Sequence, residues 1–239
     1  MPRPEKITTL AIDIGGSGIK GMLLDSAGQP ISERERAETP DPALPLSMLN
    51  IIEAIAGRLG TFDRVSVGFP GVVKRGATLT AHNLNPKWVG FDLQKVLQRR
   101  LGKPVRVAND AAVQGFGAIR GRGVELVITL GTGFGSSLFT NGHLVPGLEL
   151  AHHPWQKGKT YEDYLGRHGL KAHGRKRWNT YVKKAIVQIE QLFNFDHLYI
   201  GGGNAVKIDF PLPKYATRVP NQDGLIGGVA LWRDEEPTS

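Results

Sequence analysis

No cysteine occurs anywhere in the 239 residues, which excludes disulfide bonds, thiolate-held metal and a cysteine nucleophile together. Any metal must therefore sit on oxygen or imidazole. No apolar run reaches the roughly 18 residues that a membrane span needs. Residues 1–6 hold Pro2, Pro4 and the charges Arg3, Glu5 and Lys6 where a secretory leader would need an apolar core. A cytoplasmic protein without a membrane partner is the expectation. The P-loop pattern G-x-x-x-x-G-K-[ST] is missing as well, so that class of phosphotransferase is not supported. Acidic residues are in deficit: 22 Asp and Glu face 30 Lys and Arg, a net charge of +8 that favours polyanionic partners without naming one. Much of the excess gathers in Arg167, Lys171, Arg175, Lys176, Arg177, Lys183 and Lys184. Two readings stand for that segment: a solvated helix face, or a surface for nucleic acid, membrane or an inorganic polyanion.

What is present is enough chain for one large domain or two small ones with real cores. Thr8 to Ile14 is a short apolar run through Asp13 into Gly15-Gly16, the pattern of a buried strand entering a tight turn. Gly16, Gly18 and Gly21 match G-x-G-x-x-G, with Glu33 and Glu35 near the distance a dinucleotide fingerprint wants. That fingerprint needs a helix to open on the glycines. Ile19 to Asp25 reads instead as a second strand, and Ser26-Ala27-Gly28 turns it into a third at Gln29 to Arg36. The dinucleotide reading is discarded.

The same design returns. Val127 to Leu130 is a strand, Gly131, Thr132, Gly133 and Gly135 form a loop, Ser136 to Thr140 resumes extended, and Asn141-Gly142 is a hairpin turn. Ile12, Ile14 and Gly15 line up with Ile128, Leu130 and Gly131, which suggests a duplication whose two loops face a common cleft. Between the hairpins, Leu46 to Leu59 reads as a helix and Val65 to Phe69 as a strand. Asp92 caps a helix through Leu101 with Gly102 past its end, and Pro104 to Ala108 is a strand leading to a helix from Ala111 to Ile119. Trp178, Val182, Ala185, Ile189 and Leu192 recur at helical spacing before a strand, His197 to Ile200, that Gly201, Gly202 and Gly203 stop. The class is α/β with a mixed sheet in each half. We draw the halves as 1–108, the smaller lobe, and 109–239, the larger, with the last helix packing back on the first lobe.

Glycine loops after strands expose N–H groups and admit phosphate oxygens closely. Asp13, at a strand end beside such a loop, is placed either to hold a hydrated Mg²⁺ or to bind turn N–H groups. Asn109 and Asp110 follow a strand and precede a helix. Each is either an N-cap or a working group, and Asp110 in the second reading accepts the proton of an attacking sugar hydroxyl. A carboxylate with an ordinary pKa near ~3.9 deprotonates an alcohol only late, as the bond to phosphorus forms. Asn83, Asn109, Glu149 and His152 together can supply the donors and acceptors that sugar recognition requires, although Glu149 and His152 taken singly read as surface residues.

These residues in their order resemble the ROK (repressor, ORF, kinase) sugar kinases. The likeness runs through Asp13-Ile14-Gly15-Gly16-Ser17, Gly68-Phe69-Pro70-Gly71, Asn83-Leu84-Asn85-Pro86-Lys87-Trp88, Asn109-Asp110-Ala111, Leu130-Gly131-Thr132-Gly133, Glu149-Leu150-Ala151-His152 and Gly201-Gly202-Gly203. It spans nearly the whole chain. Within the family it is most similar to the polyphosphate-using glucokinases, through Gly135-Ser136-Ser137-Leu138-Phe139, Leu144-Val145-Pro146 and Asp223-Gly224-Leu225-Ile226-Gly227.

The resemblance implies an actin-like ATPase (ribonuclease H-like) fold of two duplicated lobes. It also implies transfer of a phosphoryl group from polyphosphate or ATP, with Mg²⁺, to the 6-hydroxyl of glucose. It casts Asp110 as base, with Gly71, Asn83, Asn109, Glu149 and His152 on the sugar. Asp13, Gly15, Gly16, Ser17, Lys20, Thr132 and Gly133 serve the phosphate donor, Gly202 and Gly203 its distal part, and Asp13 holds Mg²⁺ through water. A homodimer is implied too. Two departures stand out. The family's cysteine-rich zinc motif cannot exist here, so no structural zinc is expected, and Ala151 replaces the usual glycine before His152, with His153 after it. Other outcomes stay open: a different hexose (mannose, glucosamine, fructose), a non-catalytic sugar or polyphosphate binder, or a transcriptional regulator. The last would need a DNA-binding module ahead of the first strand, so nucleic acid is not expected.

Overall fold

Residues 7–81, 84–220 and 223–232 are described by a computed structural model, in which one unit comprises the described residues up to 117 with 223–232 and the other residues 118–220. The division thus falls after Gly117, where the sequence reading drew it after 108, because the helix beginning at Asp110 packs with the first unit's strands.

In the first unit, in chain order, stand β1 (Thr9–Ile14), β2 (Ile19–Leu24), β3 (Glu35–Ala37), α1 (Pro45–Leu59), β4 (Arg64–Phe69), β5 (Val73–Lys74), β6 (Ala77–Thr78), β7 (Phe91–Asp92), α2 (Leu93–Leu101), β8 (Val105–Asn109) and α3 (Asp110–Ala118). The main sheet has the order β3-β2-β1-β4-β8. β1, β2 and β3 are successive antiparallel neighbours, while β4 and β8 run parallel to β1. A strand covered on both faces is apolar nearly throughout. β1 obeys this: Leu10, Ile12 and Ile14 join Val65, Val67 and Phe69 under α1's Met48, Ile52 and Ile55 and α2's Leu93 and Leu97, and Ala11 faces the other way.

The local rules explain the helix ends. Asp92 Oδ1 accepts a hydrogen bond from Lys95 N–H at 3.0 Å, and Gly102 closes α2 in the left-handed conformation with φ 63°. The third strand is shorter than Gln29 to Arg36. Pro30 has no N–H to offer, and the Ser32 hydroxyl accepts the Leu23 N–H at 2.9 Å, a ladder position a carbonyl would otherwise fill. Pairing begins in earnest only at Glu35.

The second unit contains β9 (Val124–Leu130), β10 (Phe134–Thr140), β11 (His143–Val145), β12 (Pro154–Gln156), β13 (Lys159–Thr160), α4 (Tyr161–Leu165), α5 (Arg167–Phe193), β14 (His197–Gly201) and β15 (Ala216–Arg218). Its sheet order, β11-β10-β9-β14-β15, repeats the first with the same sequence of antiparallel and parallel pairs. The repeat that the hairpin sequences announced is therefore a repeat of a whole sheet. Asn141 and Gly142 have φ of 50° and 85°, as a two-residue hairpin with native twist demands.

α5 buries Trp178, Val182, Ala185, Ile186 and Ile189 against Leu126, Ile128, Leu198 and Ile200. Leu192, read from spacing as part of that stripe, is 60% exposed, since the last turn of α5 turns this position to solvent. The helix is also broken at Gly174, with φ 72° and ψ 159°.

Residues 223–232 return to the first unit as α6 (Asp223–Ile226) and a 3-10 turn, Gly227–Trp232. Leu225 and Val229 pack on Ala11 and Leu24. Ser66 Oγ donates to Gly228 O at 2.6 Å and accepts from Trp232 Nε1 at 2.8 Å. Among the described residues, no helix is long and apolar enough to cross a membrane.

Candidate active site

Parallel strands deliver their following loops to one edge of a sheet, and ligands in such folds bind beyond the strands' carboxyl ends. In the first unit β1, β4 and β8 are consecutive parallel neighbours, with Asp13 paired to Gly68 and Gly68 to Ala108. Gly15-Gly16, Pro70-Gly71 and Asn109-Asp110 therefore emerge at the same edge, two strand spacings or about 10 Å from end to end.

The Asp13 carboxylate and the Lys20 ammonium meet at 2.7 Å across paired positions of the first hairpin, with side-chain exposures of 20% and 36%. Gly15 N–H donates to Gly18 O at 3.0 Å and the Thr39 hydroxyl donates to Gly15 O at 2.5 Å, which fixes the base of the turn. Gly16 and Ser17 form its exposed tip.

Gly71 lies so close to the Thr80 carbonyl that a Cβ has no room. Asn109 ties this bend to the start of α3. Its Nδ2 donates to Gly71 O at 3.0 Å, and its Oδ1 accepts from Ala111 N–H at 2.9 Å. Asp110 Oδ1 accepts from the same N–H at 2.8 Å. Asn109 and Asp110 both bond the first free N–H of α3, as a cap does, and Asn109 also ties the helix start to Gly71. Asn83 lies outside the described residues.

In the second unit the same edge belongs to β9 and β14, parallel neighbours that carry Gly131-Thr132-Gly133 and Gly202-Gly203. Asn204 joins the two. Its N–H donates to Leu130 O at 2.8 Å and its Nδ2 to Gly131 O at 2.9 Å. Gly202, with φ 85°, passes the Leu130 carbonyl so closely that a Cβ would sit 2.5 Å from it. Arg167 N–H, at the start of α5, donates to Thr132 O at 3.1 Å, and Glu162 Oε2 accepts from Phe134 N–H at 3.0 Å. The loop after β9 and the loop after β14 are thus joined through Leu130, Gly131, Gly202 and Asn204, with Thr132 and Gly133 tied to Arg167 and Glu162. Asn204 and Glu162 are partners that sequence reasoning missed. For Glu162 the available signal was the Thr160-x-x-Asp163 capping box, which starts a helix beside this loop; its reciprocal bonds hold the Asp163 carboxyl below its ordinary range.

Glu149 and His152 are half-buried in the segment between β11 and β12. Leu150 N–H donates to Ser136 Oγ at 3.2 Å, Ala151 N–H to Glu149 Oε1 at 3.1 Å, and Glu162 N–H to Ala151 O at 2.9 Å. The following strands rest on rings. Trp155 stacks on Tyr161 at 5.0 Å and meets Tyr164 edge-on at 5.2 Å, and Tyr164 in turn meets Tyr181 at 4.8 Å. Burial pushes the Tyr161 hydroxyl above its ordinary pKa.

A model of the ROK family matches residues 9–154. The polyphosphate glucokinases of Mycobacterium tuberculosis (strain CDC 1551 / Oshkosh) and Mycobacterium leprae (strain TN) are 31% and 32% identical to this chain. Each alignment covers 91% of it, and 88% and 72% of theirs respectively. The crystal structure of inorganic polyphosphate/ATP-glucomannokinase from Arthrobacter sp. strain KM is similar with a TM-score of 0.84 at 31% identity, over 93% of this chain and 97% of that one. With a repeated five-stranded sheet and likeness over nearly its full length, the chain has the actin-like ATPase fold and belongs to the ROK family.

Proposed function

We propose that this chain is a sugar kinase that moves a phosphoryl group from polyphosphate or ATP to the 6-hydroxyl of glucose, giving glucose 6-phosphate. The observation that carries the reading is Asp110 just past the carboxyl end of β8, packed against Gly68 and next in sequence to Asn109, which holds the bend at Gly71. The relatives named above support glucose as acceptor and polyphosphate or ATP as donor.

In this reading Asp110 first orients the sugar hydroxyl. The bond from O6 to phosphorus forms as the donor's bridging phosphorus–oxygen bond breaks. The hydroxyl proton passes to Asp110 late, and the donor leaves one phosphoryl group shorter. Glu149, His152, Asn109, Asn83 and Gly71 hold the sugar. Gly15, Gly16, Ser17, Lys20, Thr132 and Gly133 hold the transferring end of the donor, and Gly202 and Gly203 its far end.

Magnesium fits the residues present. Among the described residues no three His, Asp or Glu gather into a metal cage. Mg²⁺ keeps several waters and takes one or two carboxylates plus phosphate oxygens. Asp13, partly exposed beside the glycine turn, is the carboxylate that would hold it through water. When bound, the ion neutralises charge on the donor phosphates.

Mannose as a second acceptor is supported by the 31% identity to a glucomannokinase. A cytoplasmic homodimer belongs to the same proposal on family grounds. Formation of glucose 6-phosphate from each donor tests the reading.

A further inference from the structure

The excess positive charge has a place in the fold. α5 starts at the donor loop, where Arg167 N–H meets Thr132 O, and runs about 10 Å along its axis to the break at Gly174. There an open hollow of about 450 Å³ is lined by His173, Gly174, Arg175, Lys176, Arg177 and Thr180. Arg175, Lys176 and Arg177 are exposed.

A second route joins the hollow to the same loop. Lys207 Nζ donates to Asn204 Oδ1 at 3.0 Å, and Asn204 Nδ2 donates to Gly131 O. Arg175 Nε donates to Lys207 O at 3.0 Å. Asn179 stitches the two segments, donating to Arg175 O and Lys207 O, each at 3.0 Å. Asp209 is the acidic group beside this path, 3.7 Å from Arg175 Nε, and its exposure leaves the pair screened by solvent. All of these residues lie in the second unit.

We propose that the hollow at the Gly174 break is a remote subsite for the trailing phosphates of a polyphosphate donor. On this account Lys207 and Arg175 lead the chain from the Gly131-Thr132-Gly133 loop to Lys176 and Arg177. The proposal rests on the reading that polyphosphate is a donor. A triphosphate ends near the loop and has no trailing charge to place there. A long polyanion touches many cations at once, and its affinity falls steeply with salt. Single-stranded nucleic acid is the less favoured occupant, because it is gripped by rings that stack on bases. Tyr181, the ring beside Arg177, is already held against Tyr164 and His173.

The test compares wild type with Arg175→Gln/Lys176→Gln/Arg177→Gln in two measurements. Steady-state kinetics use long-chain polyphosphate, tripolyphosphate and ATP, and fluorescence anisotropy follows labelled long-chain polyphosphate at low and high salt. The expected result is a KM for long polyphosphate raised about tenfold at low salt, less at high salt, with anisotropic binding weakened in parallel. KM for tripolyphosphate and ATP stays within about twofold. Lys176→Glu, a single exposed change, gives the same ordering should the triple variant fold poorly. Equal response of all three donors, or none, overturns the subsite while leaving the donor reading intact. A single-stranded oligonucleotide that binds through the same residues, with polyphosphate KM unmoved, also overturns it. A wild type that turns over ATP alone contradicts the donor reading, and the donor subsite falls with it.

Discussion

Lys20 reaches across the first hairpin to Asp13, Nζ to Oδ2 at 2.7 Å, so the chain's proposed magnesium carboxylate is paired with a proposed donor-phosphate cation. Magnitudes separate a structural role for this pair from a catalytic one. An ion pair at this exposure stabilises by at most about 1 kcal/mol, a shift of about 2–4 °C in melting temperature for a chain of this size. Asp13→Asn is therefore expected to melt within about 4 °C of wild type while needing more magnesium for half-maximal rate. Magnesium titration of the rate, beside a thermal melt, checks this. A large melting shift with unaltered magnesium dependence would mean that Asp13 only closes the strand end.

Asn109 is predicted to serve the sugar site through Gly71 as well as through its own amide. Asn109→Asp keeps the acceptor for Ala111 N–H but replaces the donor to Gly71 O with a carboxylate that repels it. Asn109→Ala loses both bonds, a cost of about 1–2 kcal/mol, or about 2–8 °C. Both variants should raise glucose KM about tenfold or more, and the aspartate should do so with the smaller loss of melting temperature. If KM follows melting temperature instead of the loss of the Gly71 bond, the residue is a helix cap alone.

Tyr199 gives the second unit an alkaline weak point. Its hydroxyl donates to Glu125 Oε1 at 2.8 Å, and Glu125 is itself buried and accepts from the N–H groups of Arg120, Gly121 and Arg122. Burial first, then the hydrogen bond to the Glu125 carboxylate and its charge, pushes the Tyr199 pKa from 10.0 up to about 12. Between those values the unfolded chain gives up a proton that the folded chain keeps. The stabilisation, on the order of 2 kcal/mol, is complete below pH 10 and lost as pH rises toward 12. Tyr161 and Tyr215 are shifted the same way and contribute to the slope in any variant. The difference between wild type and Tyr199→Phe isolates Tyr199: the phenylalanine variant should lose melting temperature less steeply above pH 10. Identical slopes would remove Tyr199 from the account.

Much of the scaffold was legible because its signals are local. The Asp92 cap, the Gly102 stop, the Asn141-Gly142 turn and the echo of Gly15 in Gly131 each follow from one or two side chains acting on their own backbone. What was illegible depends on partners distant in sequence. β3 begins late because Ser32 captures Leu23 N–H. A lone glycine is compatible with an unbroken helix, so nothing near Gly174 announces the break. Strands of two residues such as β5 and β13 are too short to show a period. In the candidate site, Leu130 and Gly202 become neighbours only through the parallel pairing of β9 with β14, and Asn204 and Glu162 find their partners Gly131 and Phe134 only once distant segments meet.

The most direct measurement is the rate of glucose 6-phosphate formation by the purified protein in a coupled assay. Glucose or mannose is the acceptor and polyphosphate or ATP with magnesium the donor, beside Asp110→Asn, which keeps size and an acceptor for the Ala111 N–H. The account predicts product from glucose, and a turnover rate reduced about 10²- to 10⁴-fold in Asp110→Asn with glucose still bound. A folded wild type that forms no sugar phosphate from either donor, or an Asp110→Asn variant that turns over within about threefold of wild type, would contradict it.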